Sequence, residues 1–331
     1  MGDKPGMKTS DILVIGAGMA GLTCAARLAE AGLDVSVIDK GRGPGGRMAT
    51  RRVEIAGKVI GFDHGAQYFT ARNEEFRKTV AYWEQIGVAA PWPAAGKDAH
   101  VGTPGMNGPI RALAQALDVE WNVRADRLSR KDGRWLVTTD LRDYVADTLL
   151  VAVPAEQSAT LLKDAVPALA AAAASVRSEP CWATMAAFAE RLPVDSDVLR
   201  GADGEAISWA ARNSAKPSRS GAETWVIHAS PSRSHELLED LREQVATMLV
   251  NDFFAQVGIV GFSPIHLTAH RWLFAMAKPL EGEPARYDAE ARIGIAGDYL
   301  HSPRVEGAWT SGRALADAVL TTRGPASATA G

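Results

Sequence analysis

Apolar positions follow distinct rhythms along this chain, and each rhythm predicts a different element. Ile12 to Ile15 is an unbroken apolar run, the mark of a parallel strand buried on both faces. From about Met19 the spacing becomes helical and stops at Gly32, a residue suited to ending a helix. "VSVID" then begins a second strand, which closes a β-α-β unit. Over Glu74–Ile86 the helical spacing returns, with Phe76, Val80 and Trp83 on one face, Asn73 as cap and Gly87 as stop. After a short helix beyond Pro109, "VEWNV", "RWLVTT" and "YVADTLLVAV" read as a meander, with "KDG" as the turn between the first two. Pro154 opens a helix, and Pro167 interrupts an alanine-rich one. "ISWAAR" and "TWVIHAS" alternate around the polar loop "NSAKPSRSG". A helix is expected from about His235, with Leu238, Leu241, Val245 and Met248 at steps of three or four. "IHLTAHRW" alternates again, so His266, Thr268, His270 and Trp272 share a face while Arg271 points away. "RIGIAGD", a loop and "GAWTSGRALADAVL" predict strand, turn and helix, and the tail 324–331 is expected to be disordered.

Composition narrows the class. The 331 residues are 47% hydrophobic and 23% charged, with a net charge of −3. That is an ordinary soluble globular balance, with no overall attraction for nucleic acid or a membrane surface. The N-terminal "MGDKPGMKTS" has no apolar signal core, and no apolar run approaches the ~18 residues of a span. A cytoplasmic location is expected. The two cysteines, Cys24 and Cys181, lie outside any CxxC or Cys/His cluster, which argues against a disulfide framework or a metal site. No Ser/His/Asp or Cys/His constellation is legible, nor any HExxH.

Gly16, Gly18 and Gly21 form GxGxxG between a strand and a helix. The first glycine permits the tight turn, the second lets backbone approach a pyrophosphate, and the third lets helix and strand pack closely. The pyrophosphate then meets the N–H groups at the helix start, around Met19 and Ala20. Asp39 ends the second strand eighteen residues after Gly21, where a carboxylate can accept from ribose hydroxyls, with Lys40 next to it. A dinucleotide binds here. The choice between NAD and FAD turns on two other segments. "DKGRGPGGRMATRR" carries five basic side chains and four glycines directly after the second strand, too soon for the crossover helix of a plain NAD fold. Arg47 can pair with a pyrophosphate there, with Met48 beside it, while Arg42, Arg51 and Arg52 raise the potential. The second is "IAGDYLHSPRVEGAWTSGRALADAVL", which returns to the fold far along the chain. Asp298 at a strand end can accept from a ribityl hydroxyl, and a helix beginning near Gly307 or Ala308 can aim its positive end at the flavin N1–C2=O edge.

Together these segments resemble the FAD-dependent amine-oxidase superfamily. "GRGPGGRMATRR" followed by "FDHGAQYFTAR" is most similar to the renalase family. The resemblance covers the cofactor-binding parts, about half the chain, and is loose over 155–285. It implies an α/β fold like that of p-hydroxybenzoate hydroxylase: a discontinuous Rossmann-type FAD-binding domain (9–80, 100–155, 289–323) and a β-sheet-based substrate domain (81–99, 156–288). It also places the Val123 backbone against the adenine. The activity implied is oxidation of isomeric (2- or 6-) dihydronicotinamide dinucleotides to NAD(P)+, with oxygen reduced to peroxide. In "FDHGAQYF", Asp63, His64, Gly65 and Ala66 are expected beside the flavin. Gln67, Tyr68 and Phe69 are expected toward the substrate, the amide to hold a carboxamide and the rings to flank a planar nicotinamide. His270 and Trp272 suit the ceiling of the same cavity. No cysteine lies in the C-terminal segment, so the FAD is expected to be non-covalent. An amine oxidase or desaturase of the same superfamily, or a non-catalytic flavin sensor, remains open at this stage.

Overall fold

The computed structural model describes residues 6–219 and 221–323. The tail 324–331, expected to be disordered, lies outside the described residues. The chain divides into two compact units. One comprises residues up to Gly46, Ile110–Arg177, and those from Ala277 on; the other comprises Arg47–Pro109 and Ser178–Met276.

The first unit is built on parallel strands in the order Ile293–Ala296, Tyr144–Val151, Lys8–Ile15, Val35–Asp39 and Asp118–Trp121. Ile12 to Ile15 are almost wholly buried because helices and a hairpin cover the sheet, as the unbroken apolar run requires. The helix Met19–Glu30 ends as its spacing predicts, with Gly32 at φ +83°. "VEW" does not open a meander: Asp118–Trp121 pairs in parallel with Val35–Asp39. The hairpin is made by Ala125–Lys131 and Arg134–Thr139, the first a charged strand in which only Leu128 is buried. Pro167 does not interrupt a helix but starts one, Pro167–Ala174, at the first-turn position where a missing N–H costs nothing.

The second unit centres on a five-stranded sheet in the order Val198–Arg200, Ile207–Arg212, Glu223–Ala229, Ser178–Phe188 and His266–Ala277. One face packs against the helix Arg242–Val257 through Trp225, Ile227, Ala186, Leu249 and Phe253. On the opposite face, Met185, Ala187 and Val226 pack against Ile60 and Phe62 of the hairpin Thr50–Ile55/Lys58–Asp63. That apolar contact explains why 47–80, expected with the cofactor domain, cluster with the sheet instead. The helix expected from His235 is two helices, Pro231–Glu236 and Arg242–Val257, with Leu241 as the N-cap of the second. Leu241 and Met248 are exposed, and the buried stripe runs through Val245, Leu249 and Phe253. Asn73 caps Glu74–Gln85 as expected, accepting from Glu75 N at 2.9 Å and Phe76 N at 3.2 Å. The sequence-based class, α/β with a Rossmann-type unit and a sheet-based second unit, is the class observed. No helix among the described residues is long and apolar enough to cross a membrane.

Candidate functional site

In the first unit the glycine turn is a cradle with one open side. Gly16 has φ +108°, and a Cβ there would lie 2.5 Å from the Ala152 carbonyl oxygen. A Cβ on Gly21 would lie 1.8 Å from the Gly16 oxygen, so only glycine lets helix and strand meet. Gly18 differs: a Cβ there would meet nothing within 4 Å. It caps a helix with no side-chain cap and no acid in its first turn, leaving N–H groups and the dipole turned toward open space. Gly46, at φ +51°, brings the glycine-rich basic stretch back over this point, its Cβ position 3.5 Å from Gly18 Cα. Flexible backbone is needed there because the loop folds onto the turn. These features fit a pyrophosphate.

Asp39 braces the cradle. Its carboxylate accepts from Ala17 N at 2.7 Å and Gly41 N at 2.6 Å, and both oxygens keep lone pairs for a ribose. Asp39→Ala is expected to cut flavin retention about tenfold or more, the loss of charge-assisted bonds worth ~1.5–3 kcal/mol. Equilibrium dialysis of the released flavin measures this. Lys40 reaches Gln157 at 3.0 Å, and Val123 gives its N–H to the Asp39 carbonyl at 2.9 Å. Met19 and Ala20 are buried at the helix start.

The C-terminal arm returns to this helix. A Cβ on Gly312 would sit 2.2 Å from the Ala20 oxygen, so Val305–Arg323 crosses Met19–Glu30 at a glycine. The helix begins at Val305, before the expected Gly307 or Ala308; Ala308 N is already bonded to Arg304 O at 3.0 Å. Gly307 lies against the Ser302 carbonyl, where a Cβ would come within 2.1 Å. The preceding strand ends at Ala296, and buried Asp298 opens a short 3-10 turn.

In the second unit, the hairpin and the sheet bring imidazole and indole rings together. His64 stacks on Trp272 with centroids 5.1 Å apart and meets His270 edge-on at 4.9 Å. The Trp272 indole N–H donates to His64 O at 2.8 Å. Strand alternation adds His228, directly opposite both Trp209 and Ala183 on neighbouring strands. Burial, with the charges of His270 and Arg51, pushes His64 down to about 3. Burial and Lys216 push His228 down to about 4, and burial, Arg51 and Arg242 do the same for His270. The platform is therefore neutral at physiological pH. The ring protons of these histidines are expected to hold constant NMR shifts from pH 5.5 to 8; a titration near 6.5 would show an exposed, charged imidazole.

Beside the platform lies a buried ionic cluster. Asp63 pairs with Arg219 at 2.5 Å and Lys216 at 3.4 Å, and accepts from Thr50 Oγ1 at 2.7 Å and Met106 N at 2.8 Å. Burial alone would raise its carboxyl; the two cations and these donors hold it at about 2. Burial lowers Lys216 to about 8 against the pull of Asp63. Gln67 uses its amide inside the protein: Nε2 donates to Asp63 O and to Gly65 O at 3.0 Å, and Oε1 accepts from Lys216 at 3.1 Å. It braces the segment rather than offering both N–H groups to a carboxamide. Phe69, expected toward the substrate, is core, packed on Phe76, Trp83 and His100. Tyr68, half-buried, sits 5.2 Å from Trp209. Gly65 and Ala66 are closed onto Arg47: a Cβ on Gly65 would lie 2.0 Å from Arg47 O, and Ala66 N donates to it at 2.8 Å. Arg47 itself reaches Ala275 O at 3.4 Å, and Met48 is buried. His228, Trp209, Lys216 and Arg219 were not singled out by sequence. For the first, the signal was the alternation opposite Trp225 and Ile227.

Residues 84–320 match the family described as flavin containing amine oxidoreductase, and residues 14–83 match the NAD(P)-binding Rossmann-like domain. Hydroxyneurosporene desaturase of Rubrivivax gelatinosus is 46% identical over 66 residues, 20% of this chain and 12% of that protein. The zeta-carotene-forming phytoene desaturase of Myxococcus xanthus is 54% identical over 43 residues, 13% of this chain and 8% of the desaturase. These stretches span a small part of either relative. Among solved structures, a protein described as a protoporphyrinogen oxidase of Exiguobacterium sp. 255-15 matches with TM-score 0.69 at 14% identity, covering 94% of this chain and 98% of that one. Putrescine oxidase bound to putrescine gives 0.63 at 14%, over 95% and 100%. Cyclohexylamine oxidase of Brevibacterium oxydans IH-35A gives 0.62 at 13%, over 94% and 98%. At these identities the likeness is one of fold.

Proposed function

This chain belongs to the flavin containing amine oxidoreductase family, and from that premise we propose that it is an FAD-dependent oxidase of isomeric dihydronicotinamide dinucleotides, acting in the cytoplasm with oxygen as acceptor. The observation that carries the reading is a neutral aromatic platform next to a surplus of buried positive charge. Lys216 and Arg219 share the single carboxylate of Asp63. A protonated diamine would be repelled by that surplus, whereas a neutral dihydropyridine attached to a pyrophosphate is attracted. The Trp272 indole, braced by His64 and His270, would lie against a planar ring and stabilise the pyridinium cation as it forms. Because these imidazoles are held neutral, they do not oppose that developing charge. A bound flavin would supply the hydride acceptor and the two-electron path to oxygen, with peroxide as the product.

A dihydropyridine loses hydride without first losing a proton, so no general base is required and the residues' task is positioning. Gly18 and the helix start at Met19 would hold the pyrophosphate of the FAD, and Asp39 its ribose. Retention is non-covalent: Cys24 is buried inside the first helix, where burial pushes its thiol upward, and burial pushes Cys181 up to about 12. Steady-state oxidation tests the reading. One NAD(P)+ and one peroxide should form per 2- or 6-dihydro donor consumed, with putrescine and cyclohexylamine inert. Peroxide formed from the amines but not from the dihydro donors would replace this function with amine oxidation.

A further inference from the structure

One exposed arginine stands outside the ionic cluster and is held in an unusual way. Arg200, at the end of Val198–Arg200, lies with its guanidinium carbon 4.5 Å from the Trp209 ring centroid and 5.7 Å from that of Tyr68. Its guanidinium donates to the Ala95 carbonyl at 2.6 Å. An arginine carries five N–H donors, so π faces and one carbonyl fix its plane and leave donors directed outward. Beneath it, Trp209 Nε1 is buried with no hydrogen-bond partner, an unsatisfied donor. The residues below are continuous with the platform. Trp209 is the cross-strand partner of His228, His228 Nε2 is 3.4 Å from Gln67 Nε2, and Gln67 precedes Tyr68 in the chain. The wall thus runs from an exposed cation to neutral rings.

We propose that Arg200, held over Tyr68 and Trp209, is a specificity residue that recognises the phosphates of the dinucleotide substrate. The proposal rests on the dihydronicotinamide reading above and adds to it which end of the substrate points toward Arg200. A stacked guanidinium is weakly hydrated and presents paired donors in a plane, which suits a phosphate oxygen pair better than a lysine ammonium does. A nicotinamide on the platform would project its phosphates toward the arginine, and a phosphate oxygen there would be the acceptor that the orphan indole N–H lacks.

The test compares two donors with the same dihydropyridine isomer, the dinucleotide and the phosphate-free riboside. Parent enzyme is expected to prefer the dinucleotide in kcat/KM. In R200A that preference should fall about tenfold or more, as for loss of a charged hydrogen bond, and the loss should lie in KM. R200K should recover part of it. Equal losses for both donors in R200A would overturn the proposal, because the arginine would then only brace the Tyr68–Trp209 pair. A second arm titrates the flavin-loaded protein with inorganic pyrophosphate and follows tryptophan fluorescence. Weaker binding in R200A supports the subsite, and equal binding overturns it. If the parent oxidises neither donor, the proposed function fails, and this second arm alone decides the subsite.

Discussion

Asp63→Ala is expected to destabilise the protein by about 3–5 kcal/mol, the range for breaking a buried ion pair from one side. The carboxylate is almost fully buried, with Lys216 and Arg219 close by and both nearly excluded from water. Removing it leaves two cations without their counter-ion, and also leaves the Met106 N–H and the Thr50 hydroxyl without an acceptor. Asp63→Asn should cost less, because the shape and some acceptor capacity survive. Urea unfolding at pH 7 measures both. The same group sets an acid limit. Its carboxyl is depressed from 3.8 to about 2 in the folded protein, so the stabilisation is present above about pH 4 and lost as pH falls from there toward 2. Asp63→Ala should remove that part of the acid sensitivity. A variant of parental stability would mean that Lys216 and Arg219 have other partners.

Gly21→Ala should abolish flavin retention, and Gly18→Ala should reduce it by a different route. A methyl on Gly21 would lie 1.8 Å from the Gly16 carbonyl oxygen, which is backbone and cannot yield without parting helix from strand. The cost should exceed the ~1–3 kcal/mol of ordinary overpacking, and the turn that receives the pyrophosphate is distorted directly. At Gly18 the methyl enters open space and φ is −83°, so the fold accepts it. What it obstructs is the approach of a phosphate to the helix start. Thermal melting should therefore separate the two, with Gly18→Ala melting near the parent and Gly21→Ala well below it. Flavin absorbance per chain should fall in both. Full flavin content in Gly18→Ala would mean that the pyrophosphate lies elsewhere.

What was legible in the sequence was local. The β-α-β unit, the Asn73 cap and the alternation of 266–272 depend on neighbours within a few residues, and these forms are the ones observed. Ala125–Lys131 carries no apolar alternation in sequence because its side chains are mostly charged and only Leu128 is buried. The single helix read from His235 failed because spacing alone does not register the break before Arg242. The ionic cluster escaped for a stronger reason. Lys216 and Arg219 lie in a segment rich in serine and proline that reads as a solvated loop, and their partner Asp63 stands about 150 residues earlier. Pairings at that separation leave no periodicity. Two adjacent aromatics look alike in sequence, while the backbone turns them to opposite sides, Tyr68 toward Trp209 and Phe69 toward Trp83.

The proposed reductant is a dihydronicotinamide rather than an amine. Anaerobic mixing of the purified protein with each class of donor tests it most directly, with the flavin band near 450 nm followed in a single turnover. Rapid bleaching by a 2- or 6-dihydronicotinamide dinucleotide is expected, and none by putrescine or cyclohexylamine at the same concentration. Bleaching by the amines, with the dihydronicotinamides leaving the band unchanged, would contradict it.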